Sequence, residues 1–120
     1  MFVNKRWGYE IWIENNTLYC GKHLHVVPNK WCSLHYHKNK KETFYVIGGE
    51  LRLEYKDLID VPDLDDWDNV CETKILTKGD SFTLEVGTLH NFTSNTSAPC
   101  DFIEISTEHK DSDSYRLGQK

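Results

Sequence analysis

The sequence predicts an all-β chain folded as one antiparallel jelly-roll barrel, and three observations predict it. Aromatic and β-branched residues recur in short alternating runs. Clusters of Gly, Pro, Asn and Asp separate those runs. No stretch of a dozen residues keeps a helical period. Nine short, closely spaced strands in 120 residues suit a closed barrel or jelly roll, because closure leaves few bare strand edges. The length is that of a single domain, 1–120.

The first strand is read over 7–13, with Trp7, Tyr9, Ile11 and Ile13 on one side and Trp12 on the other. A small barrel has no means of covering both faces of such an edge strand. The strand is therefore expected to pack on, or exchange with, a second copy, which makes the chain a homodimer. On the second strand, 18–27, Leu24 and Val26 point inward and carry Lys22 to the same side, leaving His23 and His25 outside. That outer H-x-H has no evident carboxylate partner in the sequence and reads as a solvent or subunit contact. Pro28-Asn29 leads into 31–37, and Lys38-Asn39 into 42–48, where Glu42, Phe44 and Val46 share a face.

Gly48-Gly49 turns the chain into 50–55, with Leu51 and Leu53 inward. Lys78-Gly79-Asp80 joins 73–77 to 81–84, which turns Phe82 and Leu84 inward. Val86-Gly87 precedes 90–94, where His90 and Phe92 face the interior. Asn95 to Pro99 precedes the last predicted strand, 100–106, on which Phe102, Glu104 and Ser106 share a face.

The segment 56–70 breaks the alternation. It holds six Asp and one Lys, a charge of −5 that equals the net charge of the whole chain. It lacks the spaced oxygen ladder and closing Glu of a calcium loop, so it reads as a solvated excursion between strands. Leu58, Leu64 and Trp67 are its candidates for touching a neighbouring surface. The remaining 13 basic and 13 acidic residues balance, and there is no basic face to attract nucleic acid.

No run approaches the ~20 apolar residues of a membrane helix, and Met1 to Gly8 has no apolar leader core. A cytoplasmic location is expected. The four cysteines, Cys20, Cys32, Cys71 and Cys100, form no C-x-x-C pair and are then free thiols.

The chemistry concentrates in Ser33-Leu34-His35-Tyr36-His37 and the Glu42 that follows after four intervening residues. Residues i and i+2 of a strand share a face, so His35 and His37 project together. A turn then lets Glu42 come back on the adjacent strand beside them. His90, after Gly87-Thr88-Leu89, is the fourth candidate. Three imidazoles and one carboxylate suit one divalent transition ion, such as Mn, Fe, Ni or Zn, and are too nitrogen-rich for Ca or Mg.

These residues resemble the two motifs of the cupin superfamily. The first is matched by His35-x-His37, four residues, Glu42, six residues, Gly49, and the second by Gly79, five residues, Glu85-x-Gly87, two residues, His90. Asn29 stands where a leading glycine belongs, a mild change because Asn tolerates the left-handed turn conformation. Glu85 replaces a proline in the second motif. The resemblance implies a jelly-roll cupin barrel with a metal on His35, His37, Glu42 and His90.

Outside those motifs, three pieces resemble the cupin-type phosphomannose isomerases. They are Lys5-Arg6-Trp7-Gly8-Tyr9-Glu10, Tyr19-x-x-Lys22-x-Leu24, and a closing Ile103-Glu104-Ile105-Ser106 with Asp113-Ser114-Tyr115-Arg116. This implies a metal-dependent enzyme acting on a sugar or sugar phosphate by aldose–ketose isomerisation. Glu104 is then either the proton-transfer base or the partner of Lys22 or Arg116 in a structural ion pair. Lys22 and Arg116 are the candidates for holding an anionic end of the substrate. A different metal-dependent cupin reaction, or sugar or acid binding without turnover, are the alternatives.

Overall fold

The structure is a computed structural model that describes residues 1–118. Eleven strands carry the fold among those residues: β1 (Phe2–Lys5), β2 (Gly8–Asn15), β3 (Cys20–Val26), β4 (Leu34–Tyr36), β5 (Glu42–Gly48), β6 (Glu50–Asp57), β7 (Glu72–Thr77), β8 (Ser81–Leu84), β9 (Thr88–Ser94), β10 (Cys100–Ser106) and β11 (Tyr115–Gly118). They form two antiparallel sheets, one of order β1-β2-β3-β10-β5-β8 and one of order β11-β4-β9-β6-β7. This is the expected jelly roll, two sheets closed face to face around one interior.

The inner faces follow the alternation read from the sequence. Leu24, Val26, Phe44, Val46, Leu51, Leu53, Leu84, Phe92 and Phe102 are all buried, and Phe82 packs against them. Phe44, Phe92 and Phe102 meet with ring centroids 4.9–5.9 Å apart, tilted or edge to face, as aromatic quadrupoles favour. Each such ring contributes roughly 1.5–3 kcal/mol through burial.

Differences from the expectation lie at the ends of strands. β1 and β11 are four residues each, too short to show an alternating pattern. The stretch 31–37 is strand only over Leu34–Tyr36, after Asn29 takes φ 61° in the anticipated left-handed turn. Trp7 does not share a face with Tyr9 and Ile11. It sits in the tight turn between β1 and β2, buried edge-on against Phe92. Next to it, Gly8 has φ 151°, and a Cβ there would lie 1.8 Å from the carbonyl oxygen of His25, so only glycine fits.

The acidic segment is a cover rather than a solvated loop. Val61 and Trp67 are buried with Leu34 and Leu89 under single-turn helices, and Leu58 and Val70 pack alongside. Leu64 stays exposed, against expectation. Because this cover closes the outer face of β9, all seven of its residues are buried. Among the described residues no helix is long and apolar enough to cross a membrane, and Cys20, Cys32 and Cys100 are buried free thiols.

Candidate metal centre

The site is assembled across the two sheets. β4 and β9 pair so that His35 and His90 stand opposite each other, and His37 follows at the end of β4. The nitrogens of His35, His37 and His90 all lie within 4.8 Å of one another, a group able to hold a metal ion. Glu42 reaches them from β5 in the other sheet, not from an adjacent strand as the turn between them suggested. Its Oε1 lies 2.8 Å from His90 Nε2 and 3.8 Å from His37 Nε2.

Each imidazole is oriented from behind. Nδ1 of His35 faces the carbonyl oxygen of Ser33 at 2.7 Å, that of His37 faces Asp113 O at 3.0 Å, and that of His90 faces Thr88 O at 2.9 Å. A carbonyl oxygen only accepts, so each Nδ1 carries the proton and donates it. With Nδ1 spent in this way, Nε2 is the nitrogen that each ring turns to the site, as metal-binding histidines do.

Burial, with the neighbouring imidazoles, holds His35 far below the usual histidine range. For His37 burial is again the largest cause and brings the ring down to about 4, so both are neutral at neutral pH. Although His90 and Glu42 are close, His90 Nε2 and both Glu42 oxygens are buried without a hydrogen bond. The neutral His35 and His37 rings, with His90 Nε2 and the Glu42 carboxylate beside them, fit a divalent transition ion.

A second layer of charge lies behind Glu42. Lys40 is buried and its Nζ lies 3.2 Å from Glu42, 3.1 Å from Glu104 and 3.0 Å from His109 Nδ1. Burial opposes its charge, but the two carboxylates outweigh burial and keep the ammonium protonated. His109 Nδ1 accepts from Lys40, while its Nε2 donates to exposed Asp111 at 2.9 Å. Burial pushes the Glu104 carboxyl up; Lys40 opposes this and Glu42 adds to it, leaving Glu104 above the usual range.

The structure resolves the two ion-pair candidates for Glu104 in favour of neither. Its partner is Lys40, although β10 and β3 set Glu104 opposite Lys22. Lys22 turns instead to Glu10, 3.5 Å away, with its ammonium 4.3 Å above the Trp12 ring. Trp12 Nε1 donates to the same Glu10 at 2.8 Å.

These groups line a cavity of about 360 Å³ together with Lys5, Arg6, Trp7, Phe92 and Arg116. Sequence reasoning missed Lys40, His109 and Glu10. Lys40 was legible in principle, because it stands two residues before Glu42 on extended chain and so shares its face.

On the outer face, His23 and His25 do have a carboxylate partner. Asp101 Oδ1 lies 2.9 Å from His23 Nε2 and 2.8 Å from His25 Nδ1. It escaped the sequence reading because it arrives on β10, 76 residues from His25.

The family model described as a cupin domain matches residues 22–106. No curated protein sequence matches the chain at a significant level. Among solved structures, the capsular polysaccharide assembling protein CapF from Staphylococcus aureus superimposes with a TM-score of 0.81 at 18% identity. That match covers 98% of this chain but 34% of CapF, so the chain spans about a third of its length. KdgF from Halomonas sp. matches with a TM-score of 0.72 at 13% identity, over 93% of this chain and 91% of KdgF. The oxalate decarboxylase OxdC of Bacillus subtilis matches with a TM-score of 0.75 at 18% identity, over 98% and 30%. These likenesses show a shared fold, and with a domain match spanning both histidine motifs, the chain belongs to the cupin family.

Proposed function

We propose that the protein is a metal-dependent sugar or sugar phosphate isomerase of the aldose–ketose type, with His35, His37, Glu42 and His90 holding one divalent transition ion. The observation that carries this reading is Glu104, a buried carboxyl pushed above its usual range in the same cavity as His35 and His37. A buried carboxyl displaced toward holding its proton is the kind of group that takes and returns one. A bound Mn, Fe, Ni or Zn ion supplies Lewis acidity toward the carbonyl and hydroxyl oxygens of the substrate.

The residues divide the remaining work. Glu104 takes the proton from the carbon bearing the hydroxyl and returns it to the neighbouring carbon, while the hydroxyl proton passes to the former carbonyl oxygen, which exchanges the positions of carbonyl and hydroxyl. Lys40 fixes the direction of both Glu42 and Glu104. Lys22 and Arg116 bring positive charge to the substrate's anionic end. Trp7 and Trp12 offer apolar faces on which a sugar ring can rest.

The partner in assembly is a second copy of the chain. The outer face of the six-stranded sheet leaves Ile11, Ile13, Tyr45, Ile47 and Ile105 exposed, whereas the other sheet is covered by the acidic segment.

Two measurements on one preparation test the reading. Elemental analysis reports the ion, and proton NMR in D2O follows sugar phosphates for exchange at the carbon beside the carbonyl. Base-mediated isomerisation incorporates deuterium there. Oxygen uptake with bound iron, or carbon dioxide release from a small organic acid, places the protein among other metal-dependent cupin reactions instead. Ligand binding without turnover by fully loaded protein makes it a binder.

A further inference from the structure

We infer that Arg6 and Arg116 form an anion clamp at the cavity mouth, and that the ligand is a small organic anion whose carboxylate or phosphate head they grip. The inference rests on the reading of the cavity as a substrate site and sharpens who binds the anionic end.

Five cationic side chains line the cavity, Lys5, Arg6, Lys22, Lys40 and Arg116, against the acids Glu10, Glu104 and Asp111. The cavity wall is thus cationic in a chain whose net charge is −5. The three lysines are already engaged. Lys5 and Lys22 pair with Glu10, and Lys40 pairs with Glu42 and Glu104. Lys22 is therefore committed, buried between a carboxylate and the Trp12 ring.

The two arginines have no carboxylate partner among the described residues. Arg6 spends one nitrogen on the carbonyl of Trp31 at 2.8 Å, which anchors it and leaves the rest of the fork free. Arg116 lies on β11 directly opposite His35 on β4, so it borders the histidine group. Both arginines line the cavity, and both guanidinium charges reach the buried thiol of Cys32, which lines it too. Ser33 and Ser114 line that wall as well and add hydroxyl donors.

A planar fork donating two parallel N–H bonds is the preferred receptor for carboxylate and phosphate oxygens. Two forks beside two hydroxyls, next to nitrogens suited to a metal, fit an anion with further oxygens one or two carbons away. A phosphate ester of a sugar and a sugar acid share this chemistry.

The test is titration calorimetry of inorganic phosphate and of glucuronate, each into zinc-loaded and zinc-stripped protein. The variants are Arg6→Gln, Arg116→Gln, the double variant, and Lys56→Gln as a control outside the cavity. Each arginine removed is expected to weaken one of the probes by about tenfold, with the control at the wild-type value. The probe that loses more identifies the anion as phosphate or carboxylate.

Binding to stripped protein that disappears in the double variant supports the clamp whatever zinc does, so the clamp stands or falls apart from the metal reading. Two outcomes overturn it: neither probe binds wild-type protein, or both bind the double variant within twofold of wild type. A separate zinc titration reports on the histidine group alone.

Discussion

His37 and Asp113 hold each other in two ways. The imidazole donates from Nδ1 to the Asp113 carbonyl at 3.0 Å, and the Asp113 carboxylate accepts the backbone N–H groups of Lys38, Asn39 and Lys40 at 2.9–3.2 Å. One residue of the closing segment thus fixes both a candidate ligand and the loop that returns the chain to Glu42. Asp113→Ala is expected to destabilise the fold by about 2–3 kcal/mol, because it strands buried donors. Metal affinity is expected to fall toward the lower end of the roughly 10–100-fold range for outer partners, because the carbonyl that orients His37 remains but the carboxylate bonds that place it are lost. Competition with a chelator, alongside melting, checks both, and unchanged affinity would remove Asp113 from the site.

His37→Ala is expected to empty the site while leaving the barrel folded. The aromatic and aliphatic core does not depend on the imidazole. Elemental analysis of the two proteins side by side decides it, and equal metal content ends the ligand assignment.

Glu104→Gln keeps the shape of the side chain and removes its basicity. Turnover is expected to fall by about 10²–10⁴-fold with metal content unchanged. The companion variant Lys40→Met leaves Glu42 and Glu104 facing each other without a cation, at a cost of about 3–5 kcal/mol. Wild-type turnover by metal-loaded Glu104→Gln protein would exclude Glu104 as the base.

The outer sheet face is expected to bury itself against a second copy. Ile13 and Ile105, 62% and 56% exposed, flank Gly21 on that face, so Ile105→Glu should convert a dimer into a monomer in light scattering. A wild-type protein that is monomeric at roughly tens of micromolar argues against the dimer.

Acid stability should depend on Asp101. Burial raises its carboxyl, but the hydrogen bonds and charges of His25 and His23 outweigh burial and hold it below 3.8, its ordinary value. A depressed carboxyl stabilises the folded state above its unfolded pKa, and that stability is lost as pH falls through the folded value. Wild type and Asp101→Asn should therefore differ at pH 7, with the gap closing below about pH 4. Urea unfolding at pH 7 and pH 3 measures this, and a constant gap would rule out Asp101 as the titrating group.

The sequence carried the inner faces because strand alternation is local. Once Glu42 is placed inward, Phe44 and Val46 follow, and Leu51, Leu53 and Phe92 obey the same count. The three histidines were legible for the same reason, helped by the family spacing. Partners were not legible, because they come from strand order. Lys40 rather than Lys22 or Arg116 meets Glu104, and Asp101 meets His23 and His25, through neighbours fixed only when β10 inserts between β3 and β5. The twin role of Asp113 was hidden as well, since a turn residue near the C-terminus gives no sign of capping a loop 73 to 75 positions earlier.

The candidate centre takes its nitrogens from one sheet and its carboxylates from the other. Anything held there becomes a rivet through the seam of the sandwich, and parting the sheets means letting it go. Occupancy and mechanical closure of the barrel are then one equilibrium, so amide exchange in β4, β5 and β9 should slow together as the ion is added.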